Sequence, residues 1–118
     1  MTSYKIYEDD NFLAFLDINP WVEGHTLVIP KAHYRWVWDV PNSGEYFQVT
    51  TKVANHLKEK MNSEFVMTWI YGYDVPHAHI HLMPDARGKV SFFPNEKVKF
   101  SEKKAQQLVE KLAINNPD

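Results

Sequence analysis

Short runs rich in β-branched and aromatic residues mark five strands along this chain, and two longer runs repeat with helical spacing. Tyr4 to Tyr7 and Phe12 to Leu16 flank an acidic turn at Glu8-Asp9-Asp10-Asn11, and Asn19-Pro20 breaks the second of them. His25 to Ile29 forms a third β-rich run stopped by Pro30, and Glu64 to Tyr71 alternates as a fourth. Gly72 to Pro76 is a tight connection into a fifth, which begins at His77 and ends at Pro84. The aromatic stretch His33 to Val40 reads as a short helix or turn, and Arg87 to Asn95 as loop or weak strand.

Between the third and fourth strands, Tyr46, Val49, Val53, Leu57 and Met61 recur on one helical face. Asn42 stands at the cap position with Glu45 three residues on, the pattern of a capping box. A last helix is capped by Ser101 and carries the stripe Ala105, Leu108, Val109 and Leu112. Strands joined by short turns, two helices and no βαβ alternation predict an α+β fold. Its antiparallel five-stranded sheet carries one long helix, a short helix and a C-terminal helix, in a single domain over 1–118. There is no internal repeat, low-complexity tract or linker.

Composition narrows the function classes. The 118 residues suffice for a buried core, with 44% hydrophobic and 24% charged positions. A formal net charge of −2 supplies no basic field for extended nucleic acid, although a nucleotide can bind through local dipoles. The absence of cysteine removes disulfides, iron–sulfur clusters and thiolate zinc sites. Glu8, Asp9 and Asp10 fall where a signal peptide needs an apolar run, and no stretch reaches the roughly 20 apolar residues of a membrane span. The expectation is a cytoplasmic protein with no membrane partner.

Candidate chemistry concentrates in His77-Ala78-His79-Ile80-His81-Leu82-Met83. On a strand, alternate side chains share a face, so the three imidazoles are expected in one row about 6.6 Å apart, with Ala78, Ile80 and Leu82 turned into the core. His25 opens a neighbouring strand, whereas His33 and His56 read as ordinary surface or core residues. Two chemistries fit such a row. Neutral imidazoles bind zinc, copper, iron or nickel, although three successive same-face positions fan out too widely for easy chelation. Alternatively, an imidazole whose one nitrogen is held by an acceptor presents its other lone pair to an electrophile, and flanking imidazoles hold developing negative charge. Attack on phosphorus suits the second arrangement.

This segment resembles the signature of the histidine triad (HIT) family of nucleotide hydrolases and transferases. Upstream, Ala14-Phe15-Leu16-Asp17-Ile18-Asn19-Pro20 and Gly24-His25-Thr26-Leu27-Val28-Ile29-Pro30-Lys31-Ala32-His33 look like that family's first block, so the resemblance spans about Tyr4 to Pro84. It implies that His79 attacks the α-phosphorus to form a covalent nucleotidyl–histidine, which water resolves. It implies that His77 and His81 orient His79 and contact phosphate, with His25 contributing from the next strand. On the substrate side it assigns Asp17 to the ribose hydroxyls and Phe15, Ile18 and Leu27 to an apolar base pocket, with Asn19 and Asp74 nearby. A homodimer acting on purine nucleotides is implied, with no metal and no cofactor.

The approach to the triad departs from that pattern. Tyr73 stands where many members carry glutamine, and Asp74 where some use a serine to help protonate the leaving group. An ionised aspartate cannot donate that proton, whereas a buried one with a raised pKa can. Asp85 replaces the arginine that often follows the proline after the triad, with Arg87 nearby. The shorter Gly72-Tyr73-Asp74-Val75-Pro76 approach resembles a variant branch of the family.

Overall fold

A computed structural model describes residues 4–70, 72, 75–84 and 101–114. Within them the chain forms β1 (Lys5–Glu8), β2 (Phe12–Leu16), β3 (Thr26–Pro30), α1 (Ser43–Lys60), β4 (Val66–Trp69), β5 (Ile80–Pro84) and α2 (Glu102–Leu112). A 3-10 turn at Val37–Asp39 is the expected short helix. The sheet order is β1-β2-β3-β5-β4, antiparallel throughout. After β3 the chain crosses through α1 to the far edge, and β5 then inserts between β3 and β4. The strand that ends the histidine motif thus lies inside the sheet, with a neighbour on each side. This is the α+β, five-stranded antiparallel architecture that the pattern predicts. The Arg87 to Asn95 segment lies outside the described residues.

Period-two alternation decides which side chains reach the core. Phe12, Ala14 and Leu16 of β2, Val28 of β3 and Ile80 and Leu82 of β5 are buried together with Tyr46, Val49, Val53 and Leu57 of α1. Tyr46 reaches deepest: its ring stacks on Phe12 at 5.2 Å between centroids, and its hydroxyl donates to the Val28 carbonyl at 2.6 Å. That bond satisfies a polar group which would otherwise be buried at a cost of about 1–3 kcal/mol. Helix α2 lays Ala105, Leu108 and Leu112 against this core, and the Ile114 N–H donates to the Ile6 carbonyl just beyond it.

Helix starts differ from expectation at one end of the molecule. Ser101 caps α2 as its type predicts, accepting from the Lys104 N–H at 3.3 Å. Asn42 occupies the α1 cap position, but its side chain makes no capping bond. Glu45 does not close a box either, because its carboxylate accepts from the Asn11 side chain at 2.9 Å and ties the helix to the β1–β2 turn. A long-range partner has displaced the local one. Met61 falls at the C-cap rather than inside the helix, and Asn62 follows at φ +51°.

Candidate active site

On the sheet face opposite α1, the ladder registers place Phe15 beside Leu27, Leu27 beside His81 and His81 beside Trp69. These four half-buried side chains cross four strands in one row. His25 enters from the loop before β3, where Gly24 adopts φ +87° and a Cβ would meet Pro84 Cγ at 3.0 Å. Only glycine allows that turn without strain. The loop is closed by its own backbone: Asp17 N–H donates to the His25 carbonyl at 2.9 Å, and His25 N–H to the Val22 carbonyl at 3.1 Å.

The expected row of three histidines on one strand is corrected in part. Only His81 lies within β5, while His77 to His79 precede it. The β3–β5 ladder ends at the Val28–Ile80 pair. Pro30, at the end of β3, has no N–H with which to extend a ladder. Its carbonyl is taken instead by the His77 ring, whose Nε2 stands 2.9 Å away, and the Ala78 N–H turns to the Tyr34 carbonyl at 2.6 Å. His77 is thereby drawn toward His33, with 3.3 Å between their Nδ1 atoms. Ala78, Ile80 and Leu82 are buried, as the alternation predicts.

Proton positions follow from partners that can only accept or only donate. The His77 carbonyl lies 2.7 Å from His79 Nδ1, so that nitrogen carries the hydrogen and Nε2 carries the lone pair of the neutral ring. His79 is 8% exposed, and its ring meets that of His81 edge-on with centroids 4.9 Å apart. His81 Nδ1 lies 2.9 Å from Nε2 of His25, a ring that is 2% exposed. On the far side of His25, Nδ1 accepts from the Trp21 backbone N–H at 3.0 Å.

Asp17 sits with Oδ1 accepting from the Asn19 N–H at 2.8 Å and Oδ2 at 3.6 Å from His25 Nε2. It therefore neighbours His25 directly. Asn19 takes part through its backbone N–H, and Ile18 projects into solvent at 57% exposure. Asp74 and Tyr73 lie outside the described residues. The structure brings Phe15, Leu27, Asp17, His25, His79 and His81 to one region, and sets His77 beside them as a backbone support.

Asp17, His25 and His81 offer ligand atoms that all lie within 4.8 Å of one another, a plausible size for a metal site. The hydrogen bonding of His25 argues against that use. A ligating neutral histidine donates its remaining N–H to an acceptor. Here the remaining nitrogen faces the Trp21 N–H, itself a donor. The residues present fit a proton between His25 and His81 better than an ion.

Three participants escape sequence reasoning. Trp69 packs against the Trp21 ring at 4.8 Å between centroids and flanks His81 across the ladder, a placement fixed only by the β4–β5 register. The Trp21 backbone amide has no side-chain signature at all. His33, read as an ordinary residue, partners His77, and its place directly after Pro30-Lys31-Ala32 was the available signal. Beside His77 and His79, Trp36, Trp38, Ile70 and Gly72 line a cavity of about 110 Å³. Arg35 lies over the Trp36 ring at 3.8 Å, with Nη1 buried and unpartnered among the described residues.

Comparison with known proteins agrees with this geometry. An uncharacterized HIT-like protein of Borreliella burgdorferi is 34% identical over 98% of this chain and 90% of its own length. The adenosine 5'-monophosphoramidase HNT1 of Saccharomyces cerevisiae is 31% identical over 93% of this chain and 75% of its own length. A crystal structure of a Hit-like protein from Bartonella henselae superposes with a TM-score of 0.79 at 26% identity, covering 95% of this chain and 85% of that one. Since the model of the HIT domain matches residues 1–88, three-quarters of the sequence, this chain belongs to the HIT family.

Proposed function

We propose that this protein is a nucleotide phosphohydrolase that cleaves at the α-phosphate of purine nucleotide derivatives through a nucleotidyl–histidine on His79. Membership of the HIT family and the monophosphoramidase among its relatives support nucleotide hydrolase activity in general. The observation that supports the finer reading is the 2.7 Å bond from His79 Nδ1 to the His77 carbonyl, which leaves the lone pair of the neutral ring on Nε2, as a nucleophile requires.

In the first step Nε2 of His79 forms a bond to the α-phosphorus while the bond to the leaving group breaks, and the electron pair departs with that group, which takes up a proton from solvent where it is an amine. In the second, water forms a bond to phosphorus, the N–P bond breaks and its electron pair returns to Nε2. The products are a nucleoside monophosphate and the regenerated imidazole, with the proton of water passing to solvent. His81 stabilises the charge on the phosphoryl oxygens. Phe15 and Leu27 hold the base on the β2–β3 side, and Asp17 accepts from the ribose hydroxyls. Adenosine phosphoramidates or adenylated amines are the first substrates to test, and dinucleoside polyphosphates the second. The reading also takes the protein as a cytoplasmic homodimer, with sedimentation velocity as the check.

Intact-mass measurement during single turnover of an adenosine phosphoramidate tests the proposal. A transient adduct of one nucleotidyl group is expected on the wild-type chain and none on His79→Ala, which loses turnover. Undiminished hydrolysis by His79→Ala overturns the mechanism. Tight AMP binding with no turnover across both substrate classes would replace it with a nucleotide-binding role.

A further inference from the structure

We propose that the backbone N–H of Trp21 is a tautomer lock for the site, a positioning group that determines how His81 meets phosphate. The inference starts from a donor that cannot change role. A peptide N–H only donates, so the 3.0 Å contact from Trp21 N makes His25 Nδ1 an acceptor. The proton of a neutral His25 then resides on Nε2, the atom 2.9 Å from His81 Nδ1. His81 Nδ1 must accept in turn, so its own proton is confined to Nε2, the ring's other nitrogen. One backbone amide thus sets two rings in series. The loop holding that amide is closed by the Asp17–His25 and His25–Val22 backbone bonds, so the donor cannot easily turn away.

The lock also opposes a second proton on His81. An imidazolium there would aim Nδ1–H at His25 Nε2–H, and relief would require the His25 proton to move onto Nδ1, against the Trp21 N–H. Each arrangement sets two donors face to face. Among the described residues, the charged groups near the pair include Asp17, 3.6 Å from His25 Nε2, and Glu23 and Lys104, which pair with each other at 3.0 Å beside the same loop. The ring of His79 meets that of His81 edge-on. Asp17 favours positive charge nearby, and its carboxylate favours the proton of His25 on Nε2, the nitrogen it faces.

The consequence rests on the hydrolase reading above. His81 offers phosphate a neutral N–H donor that holds charge, and is not the acid that protonates the leaving group. Leaving groups that depart as stable anions should therefore react readily without help. Strongly basic ones depend on a proton from elsewhere.

The proton positions can be measured without any substrate, which separates this proposal from the enzymatic one. Long-range proton–nitrogen spectra of the 15N-labelled chain are expected to show His25 and His81 each protonated on Nε2 alone at neutral pH, with His81 gaining its second proton at lower pH than when the Trp21 N–H is removed. Trp21→Ala keeps the amide and should keep both tautomers. An amide-to-ester replacement at Trp21 removes the N–H while retaining the indole. It should let the His25 proton exchange between nitrogens, lower kcat about tenfold with KM within about twofold, and add an acidic limb to the kcat profile. A wild-type His25 protonated on Nδ1, or an ester variant with unchanged tautomers and pH profile, overturns the lock. If the ester variant does not fold, the wild-type and Trp21→Ala spectra still decide.

Discussion

The site contains two histidine pairs that look alike in sequence and differ in physics. His25 and His81 meet at 2.9 Å, with His25 almost fully buried, and the pair is terminated by a backbone donor at Trp21. His33 and His77 meet at 3.3 Å with His33 exposed, and that pair is terminated by a backbone acceptor at Pro30. In the first, the terminal donor places the proton of each neutral ring on Nε2. In the second, the acceptor draws the His77 proton to Nε2 and leaves Nδ1 to share with a solvent-exposed partner. The lesson is that the backbone group at the end of a chain of imidazoles assigns the proton, and that burial makes the assignment firm.

The contrast can be broken by substitution. His79→Ala, which removes the ring that meets His81 and is held by the His77 carbonyl, should lower kcat by about 10⁴-fold or more while the circular dichroism spectrum stays native. Leu57→Ala, on the other sheet face, should cost about 2–5 kcal/mol in urea unfolding because Leu57 is fully buried, yet leave the His79 tautomer unchanged by NMR. His25→Ala should reduce kcat about 10²-fold, since it strands the Trp21 N–H and the His81 Nδ1 together, whereas His33→Ala should cost less than about tenfold. Equal losses at His25 and His33 under steady-state assay would erase the distinction between the pairs.

The smallest effect lies at the sheet edge. Hydrogen bonds from Lys31 and Lys5 draw the Glu8 carboxyl down from 4.5 to about 2. The unfolded chain therefore takes up this proton first, so the contribution is complete above pH 4.5 and fades as pH falls from 4.5 toward 2. Glu8→Gln should flatten that part of the stability–pH curve, measured as urea midpoints, and leave kcat untouched. Because the group is exposed, the change should be slight.

Much of this molecule was legible before any coordinates. The alternation in Phe12 to Leu16 and the helical repeat from Tyr46 to Leu57 named their buried faces, because side-chain period and burial are linked locally. The histidine motif and the block around Asp17 and His25 pointed to the same region of the fold. The Asn42–Glu45 box did not form, because Glu45 found Asn11 from a distant turn. The three-histidine row did not form as a strand either, because a proline in another strand ended the ladder.

By itself the sequence determined which segments become strands and helices, which faces turn inward, and which residue types gather around the histidines. Those properties depend on neighbours a few positions away. Tertiary structure alone decided where each proton sits: that His79 donates to a carbonyl two residues back, that His77 answers Pro30, and that Trp21 governs His25 and His81. Backbone donors and acceptors are the same in every residue, so their assignments carry no letter in the sequence and appear only when folding brings a particular amide to a particular ring.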